Sequence, residues 1–140
     1  MLTDDGKARV LFVCSTRSGR SHMAAAFLHA FSHGGVTALS AVCDPSAPLE
    51  SAVIEAMAEA GIHDLQTYEP AVFTPAIAEA ADYIVALNCA VAGLGRVDAD
   101  WRIADPAGKP LAEVRPIRDA IRTAAQALAD RFLEAVTSAH

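Results

Sequence analysis

The sequence is short of positive charge, of aromatic side chains and of cysteine, and it has no long apolar run. Eleven Lys and Arg face seventeen Asp and Glu, for a net charge of −6. That balance disfavours sequence-independent binding to a phosphate backbone, so no nucleic-acid partner is expected. Its apolar stretches, such as Ala90 to Gly95 and Met23 to Leu28, are far too short to cross a bilayer, so no membrane partner is expected. Met1-Leu2-Thr3-Asp4-Asp5-Gly6 is acidic and offers neither the basic start nor the apolar core of a secretory leader. The expectation is a cytoplasmic protein. The three cysteines, Cys14, Cys43 and Cys89, are odd in number and widely spaced, which argues against a secreted disulfide scaffold. No C-x-x-C or paired Cys/His spacing points to structural zinc. His29 and His33 can share a helix face but have no third ligand, so no metal is expected.

What is present suits a folded domain. Hydrophobic residues make up 53% of 140 residues and charged residues 20%, which excludes wholesale disorder. The length predicts one domain over 1–140, with residues 1–7 as a frayed leader.

Strand and helix signals alternate along the chain. Arg9 to Val13 reads as a buried strand, Cys14 to Arg20 as a polar loop, and Ser21 to Phe31 as a helix stopped by Gly34-Gly35. Val36 to Val42 is a second strand, Pro45 to Pro48 a loop and Leu49 to Ala60 a helix. Pro70 to Pro75 reads as a connection and Pro75 to Ala81 as a short helix. Asp82 to Leu87 is a third strand, Asn88 to Ala99 is irregular, and Trp101 to Ala104 is a brief fourth strand. Ile117 to Thr137, after Pro116, is the longest helix. This pattern predicts an α/β fold, a parallel sheet with helices on both faces. Ligands of such sheets bind outside the carboxyl ends of the strands. Cys14 to Arg20, Cys43, Cys89 and Asp105 all fall at those ends.

The loop from Cys14 to Ser21 carries the chemistry. A cysteine ends a strand, five residues follow (Ser15, Thr16, Arg17, Ser18 and Gly19), and Arg20 precedes a helix start. A loop curling into a helix N-terminus turns backbone N–H groups inward and makes a cradle for a tetrahedral oxyanion. Arg20 adds a planar fork for two oxyanion oxygens. The positive field predicts a depressed pKa for Cys14 and hence a thiolate nucleophile. Ser21 either donates its hydroxyl to that thiolate or caps the helix. A C-x5-R spacing alone is weak; the preceding strand and following helix make it specific.

Leu11 to Ser21 resembles the signature of the low-molecular-weight tyrosine phosphatase superfamily, which also contains arsenate reductases. Trp101-Arg102-Ile103-Ala104-Asp105-Pro106-Ala107 and Val114-Arg115-Pro116-Ile117-Arg118-Asp119-Ala120-Ile121 are similar to stretches of the arsenate reductase branch. The resemblance covers nearly the whole chain and implies a four-stranded parallel sheet in the order 2-1-3-4, flanked by helices. It makes Asp105 the general acid or base beside Cys14, although Asp105-Pro106 by itself reads as an ordinary turn. Phosphatases commonly carry aromatic residues after that Asp-Pro to stack on the substrate ring. Ala107 and Gly108 stand there instead.

The chain also departs from the family. Arg17 replaces a loop asparagine, Gly19 a second loop cysteine, and Ala25 a glutamate. In some arsenate reductases that asparagine and glutamate help hold potassium, so none is expected here. Only Cys89 lies in the segment where thioredoxin-coupled reductases carry two relay cysteines. The order 2-1-3-4 sets Cys43 and Cys89 on the same rim as Cys14, one on either side, as candidate resolving thiols.

The reading is a thiol-dependent arsenate reductase with no tightly bound cofactor. Its substrate is a small oxyanion, arsenate or a phosphate ester. Its reductant is a redox partner protein or an external thiol of the mycothiol, glutathione or thioredoxin type. Two alternatives stay open: a tyrosine phosphatase acting through a phosphocysteine, and a catalytically weak oxyanion-binding or regulatory protein.

Overall fold

The computed structural model describes residues 7–16, 19–44, 49–68, 70–87 and 95–138. Five parallel strands form one sheet in the order β3-β2-β1-β4-β5. They are β1 (Ala8–Thr16), β2 (Val36–Asp44), β3 (Ala71–Val72), β4 (Tyr83–Ala86) and β5 (Ala99–Asp100). The helices are α1 (Arg20–Phe31), α2 (Ser51–Glu59), α3 (Pro75–Glu79) and α4 (Leu111–Ser138). A 3-10 turn spans Leu65–Tyr68.

Strand β1 is the centre of the sheet, between β2 and β4. Its run Val10-Leu11-Phe12-Val13-Cys14 is fully buried, as a parallel strand covered on both faces must be. The pleat divides it. Val10, Phe12 and Cys14 face the core shared with Met23 and Phe27 of α1, Val53 and Met57 of α2, and Ile121 of α4. Leu11 and Val13 face Ala41, Ala78 and Ile84, under α3.

Three features of the expected sheet need correction. Strand β1 runs on to Thr16, with Cys14 and Thr16 in register with Val42 and Asp44, so the loop expected from Cys14 begins only after Thr16. The four expected strands correspond to β2-β1-β4-β5, in the expected order, but a fifth strand, β3, extends the edge beyond β2. Two residues show no periodicity. They pair because Ala41 and Val42 lie opposite, and because the Phe73 N–H donates to the Val42 carbonyl at 2.8 Å. The last strand is Ala99–Asp100 rather than Trp101 to Ala104. Trp101 donates its N–H to Ala86, and the Ile103 N–H then bonds locally to the Trp101 carbonyl at 2.9 Å. That local bond takes the chain off the ladder.

Helix α4 also starts earlier than Ile117. The Pro110 carbonyl accepts the Val114 N–H at 3.1 Å, so a full turn forms ahead of Pro116. Pro116 then removes only the donor that would close on Ala112. One end of α2 is tied to this helix and the other to the turn that leads into it. At its C-terminal end, Glu59 pairs with Arg115 at 2.7 Å and Arg118 at 3.0 Å, and its carboxyl is held down to about 2 by the Arg115 hydrogen bond. Arg118 also donates to the Ala56 carbonyl at 2.9 Å. At the N-terminal end, both Glu50 carboxylate oxygens lie 3.0 Å from the Gly108 amide nitrogen.

Candidate active site

Cys14 sits near the carboxyl end of β1, on the face covered by α1. Gly19 occupies the N-cap of α1 at φ +111°, a conformation that L side chains rarely adopt. Ser21 is therefore inside the helix rather than at its cap. Its hydroxyl turns to Cys14, with Oγ 3.2 Å from Sγ. In that bond the Cys14 Sγ–H donates and the Ser21 Oγ accepts.

Gly19 is constrained by space as well as by backbone. A Cβ there would lie 2.9 Å from Val53 Cγ1 and 3.3 Å from Leu49 Cδ1. The glycine is what lets the start of α2 close on the start of α1. Gly19→Ala is expected to cost about 2–4 kcal/mol, from backbone strain and overpacking together. A shift in the denaturation midpoint checks this; an unchanged midpoint would refute the packing argument.

Arg20 opens α1 and is only 4% exposed. Its Nη1 donates to the Ile103 carbonyl at 3.2 Å, two residues before Asp105. Its buried Nε has no hydrogen-bond partner among the described residues. A buried guanidinium edge without an acceptor is costly, and an oxyanion beside Cys14 is the kind of acceptor that fits it.

Asp105 is exposed and lies in a tight turn. Its Oδ1 accepts the Ala107 N–H at 2.9 Å, and the Lys109 N–H closes on the Pro106 carbonyl at 3.1 Å. Gly108 in that turn has φ +74°. No aromatic side chain follows Asp105-Pro106. Trp101 packs inward on Phe12 with ring centroids 5.4 Å apart, Tyr68 lies against His29, and Tyr83 against Phe132.

The titration of Cys14 runs opposite to expectation. Burial pushes the thiol above its ordinary value. The Ser21 hydroxyl, the Ser21 N–H and the Arg20 charge favour the thiolate but do not outweigh burial, and the Asp105 charge opposes it further. The sequence shows the cationic groups but not that the strand end is sealed under α1. Ser21→Ala should therefore move the Cys14 inflection up, and Asp105→Asn should move it down. Thiolate absorbance at 240 nm followed against pH reads both. Shifts of the opposite sign would overturn these assignments.

The other candidates separate. Cys43 is exposed. Cys14 is in register with Val42, so Cys43, one residue on, projects from the opposite face of the sheet. The structure therefore does not bring its side chain to Cys14, although both share a rim. Ser15 is half-buried at the end of β1. Arg17, Ser18, Cys89 and the Thr16 side chain lie outside the described residues. Nothing local in the sequence marks Glu50 or the Ile103 carbonyl. A glutamate before a helix reads as an ordinary first-turn residue, and a carbonyl has no sequence signal.

The sequence pattern described as low molecular weight phosphotyrosine protein phosphatase matches residues 9–138. The chain belongs to that family. It is an enzyme of the superfamily that contains these phosphatases and arsenate reductases. A Halobacterium salinarum protein assigned as an arsenate reductase is 30% identical over 139 residues, covering 94% of this chain and 97% of its own. A solved arsenate reductase in its phosphate-binding state is 25% identical, with a TM-score of 0.75 over 89% of this chain and 98% of its own. An arginine phosphatase from Geobacillus stearothermophilus shares the fold at 24% identity, with a TM-score of 0.79 over 95% of this chain and 97% of its own. Among the described residues, no helix of this family member is long and apolar enough to cross a membrane.

Proposed function

We propose that this chain is a cytoplasmic, thiol-dependent arsenate reductase. The observation that carries the oxyanion chemistry is the buried Arg20 Nε, which has no acceptor among the described residues, on the helix turn whose Ser21 meets Cys14. The bare Ala107-Gly108 turn after Asp105-Pro106 favours arsenate over an aryl ester, because it offers no ring to stack on. The 30% identical Halobacterium salinarum relative supports the same choice.

In this reading, Arg20 and the loop of Ser15, Thr16, Arg17, Ser18 and Gly19 hold arsenate. The Cys14 thiol gives up its proton as its sulfur attacks arsenic, an S–As bond forms, and an oxygen leaves as water with the proton that Asp105 supplies. Arsenic is still As(V) at that stage. A second thiol then supplies the other sulfur, the S–As electron pair stays with arsenic, and arsenite departs as the two sulfurs become a disulfide. Since Cys43 projects from the far face, the second thiol is Cys89 or an external one of the mycothiol, glutathione or thioredoxin type. Cys89→Ser separates these: normal turnover with a small external thiol assigns Cys89 to packing.

A second reading, a phosphatase working through a phosphocysteine, is favoured by the family match over residues 9–138. Side-by-side turnover of arsenate with each thiol system, and of p-nitrophenyl phosphate, decides between them. Arsenite release with at least one thiol supports the reductase. Hydrolysis of the ester with no arsenite released overturns it. Oxyanion binding without either turnover would make the chain a regulatory protein.

A further inference from the structure

We infer that Glu50 is a positioning residue for the general acid, holding the Asp105 turn against the start of α1 from the N-terminus of α2. The inference rests on the reading above, in that Asp105 must act as the acid.

Three observations converge on the start of α2. Leu49 and Val53 close on Gly19, which begins the helix bearing Arg20 and Ser21. The backbone of Glu50 serves as the α2 cap, its carbonyl accepting the Val53 N–H at 3.1 Å and the Ile54 N–H at 3.2 Å. Its side chain makes no cap bond and reaches instead across 58 residues of sequence to the Gly108 amide. Gly108 lies three residues after Asp105, in the turn that the Asp105 carboxylate itself closes through Ala107. The acid turn is thus held from two sides: Arg20 grips the Ile103 carbonyl before it, and Glu50 grips the Gly108 N–H after it. Misplacing a catalytic group by about 1 Å can cost on the order of a hundredfold in rate. Helix α2 keeps separate anchors at Glu59 and Ala56, so loss of the Glu50 bond frees the turn without unseating the helix.

The test compares Glu50→Ala, Glu50→Gln, Glu50→Asp and Asp105→Asn, first in arsenite release from arsenate, where Glu50→Ala must lose rate as Asp105→Asn does and Glu50→Gln must not, and then with phenyl phosphate and p-nitrophenyl phosphate as leaving-group probes. In both, the Cys14 S–P bond forms as the P–O bond breaks. Phenoxide is the poorer leaving group and depends on the Asp105 proton, whereas nitrophenoxide leaves with little help. Glu50→Ala and Glu50→Asp are expected to lower kcat for phenyl phosphate roughly tenfold or more, with KM unchanged and the nitrophenyl ester much less affected. Glu50→Gln keeps an acceptor oxygen at full reach and should restore the wild-type ratio. An effect of charge alone would pair Gln with Ala and Asp with wild type, and that outcome overturns the tether. An unaltered leaving-group ratio in Glu50→Ala, with a large one in Asp105→Asn, also overturns it while leaving the acid assignment standing. If Asp105→Asn itself leaves the ratio unaltered, the acid assignment fails and the inference falls with it.

Discussion

Replacing Cys14 with Ser is expected to abolish turnover of arsenate and of a phosphate ester alike, by on the order of ten-thousandfold or more. The reason is specific to this site. The hydroxyl and N–H of Ser21 and the charge of Arg20 all act to favour an anion on the Cys14 sulfur, against burial. A serine oxygen needs far more help to ionise than a thiol, and these groups already fall short for the thiol. The substitution is small, and Ser21 Oγ is within reach of a hydroxyl at that position. Folding and oxyanion affinity should therefore survive. Initial rates together with calorimetric titration of phosphate read the two effects separately. Activity within tenfold of wild type would remove Cys14 from the chemistry.

Arg20→Lys is expected to weaken oxyanion binding and to lower kcat by about a hundredfold or more. Two losses add. A lysine offers a point charge where the guanidinium offers a planar fork, so the edge carrying the buried Nε disappears. The Nη1 bond to Ile103 is also lost, which loosens the approach to Asp105. Since Arg20 is almost wholly buried, global stability needs measuring beside activity. A phosphate Kd within about threefold of wild type, in a folded variant, would show that the fork does not grip the anion.

What the sequence determines by itself is contiguous. The β1 run, the polar loop and the helix start follow one another in the chain, so the order of nucleophile, loop and arginine is legible without coordinates. The parallel sheet is legible for the same reason: buried apolar runs alternate with helical repeats, and each pattern is local. Even the order of the four principal strands agrees with the family that these motifs resemble.

Everything that joins distant segments was decided by tertiary structure. Strand β3 exists because Ala41 and Val42 lie opposite it, and two residues carry no period of their own. The last strand shifts to Ala99–Asp100 because those residues, rather than Trp101 to Ala104, pair with Val85 and Ala86. Gly19 is needed because Val53, 34 positions later, packs on it. The thiol of Cys14 rises because helix α1 and its neighbours exclude water from the strand end, and desolvation depends on the assembled core. Glu50 meets Gly108 only once α2 has docked. Local propensity writes the elements and the order of the reactive groups. Burial and long-range hydrogen bonds set their protonation and their aim, because both depend on atoms that the chain brings together only by folding.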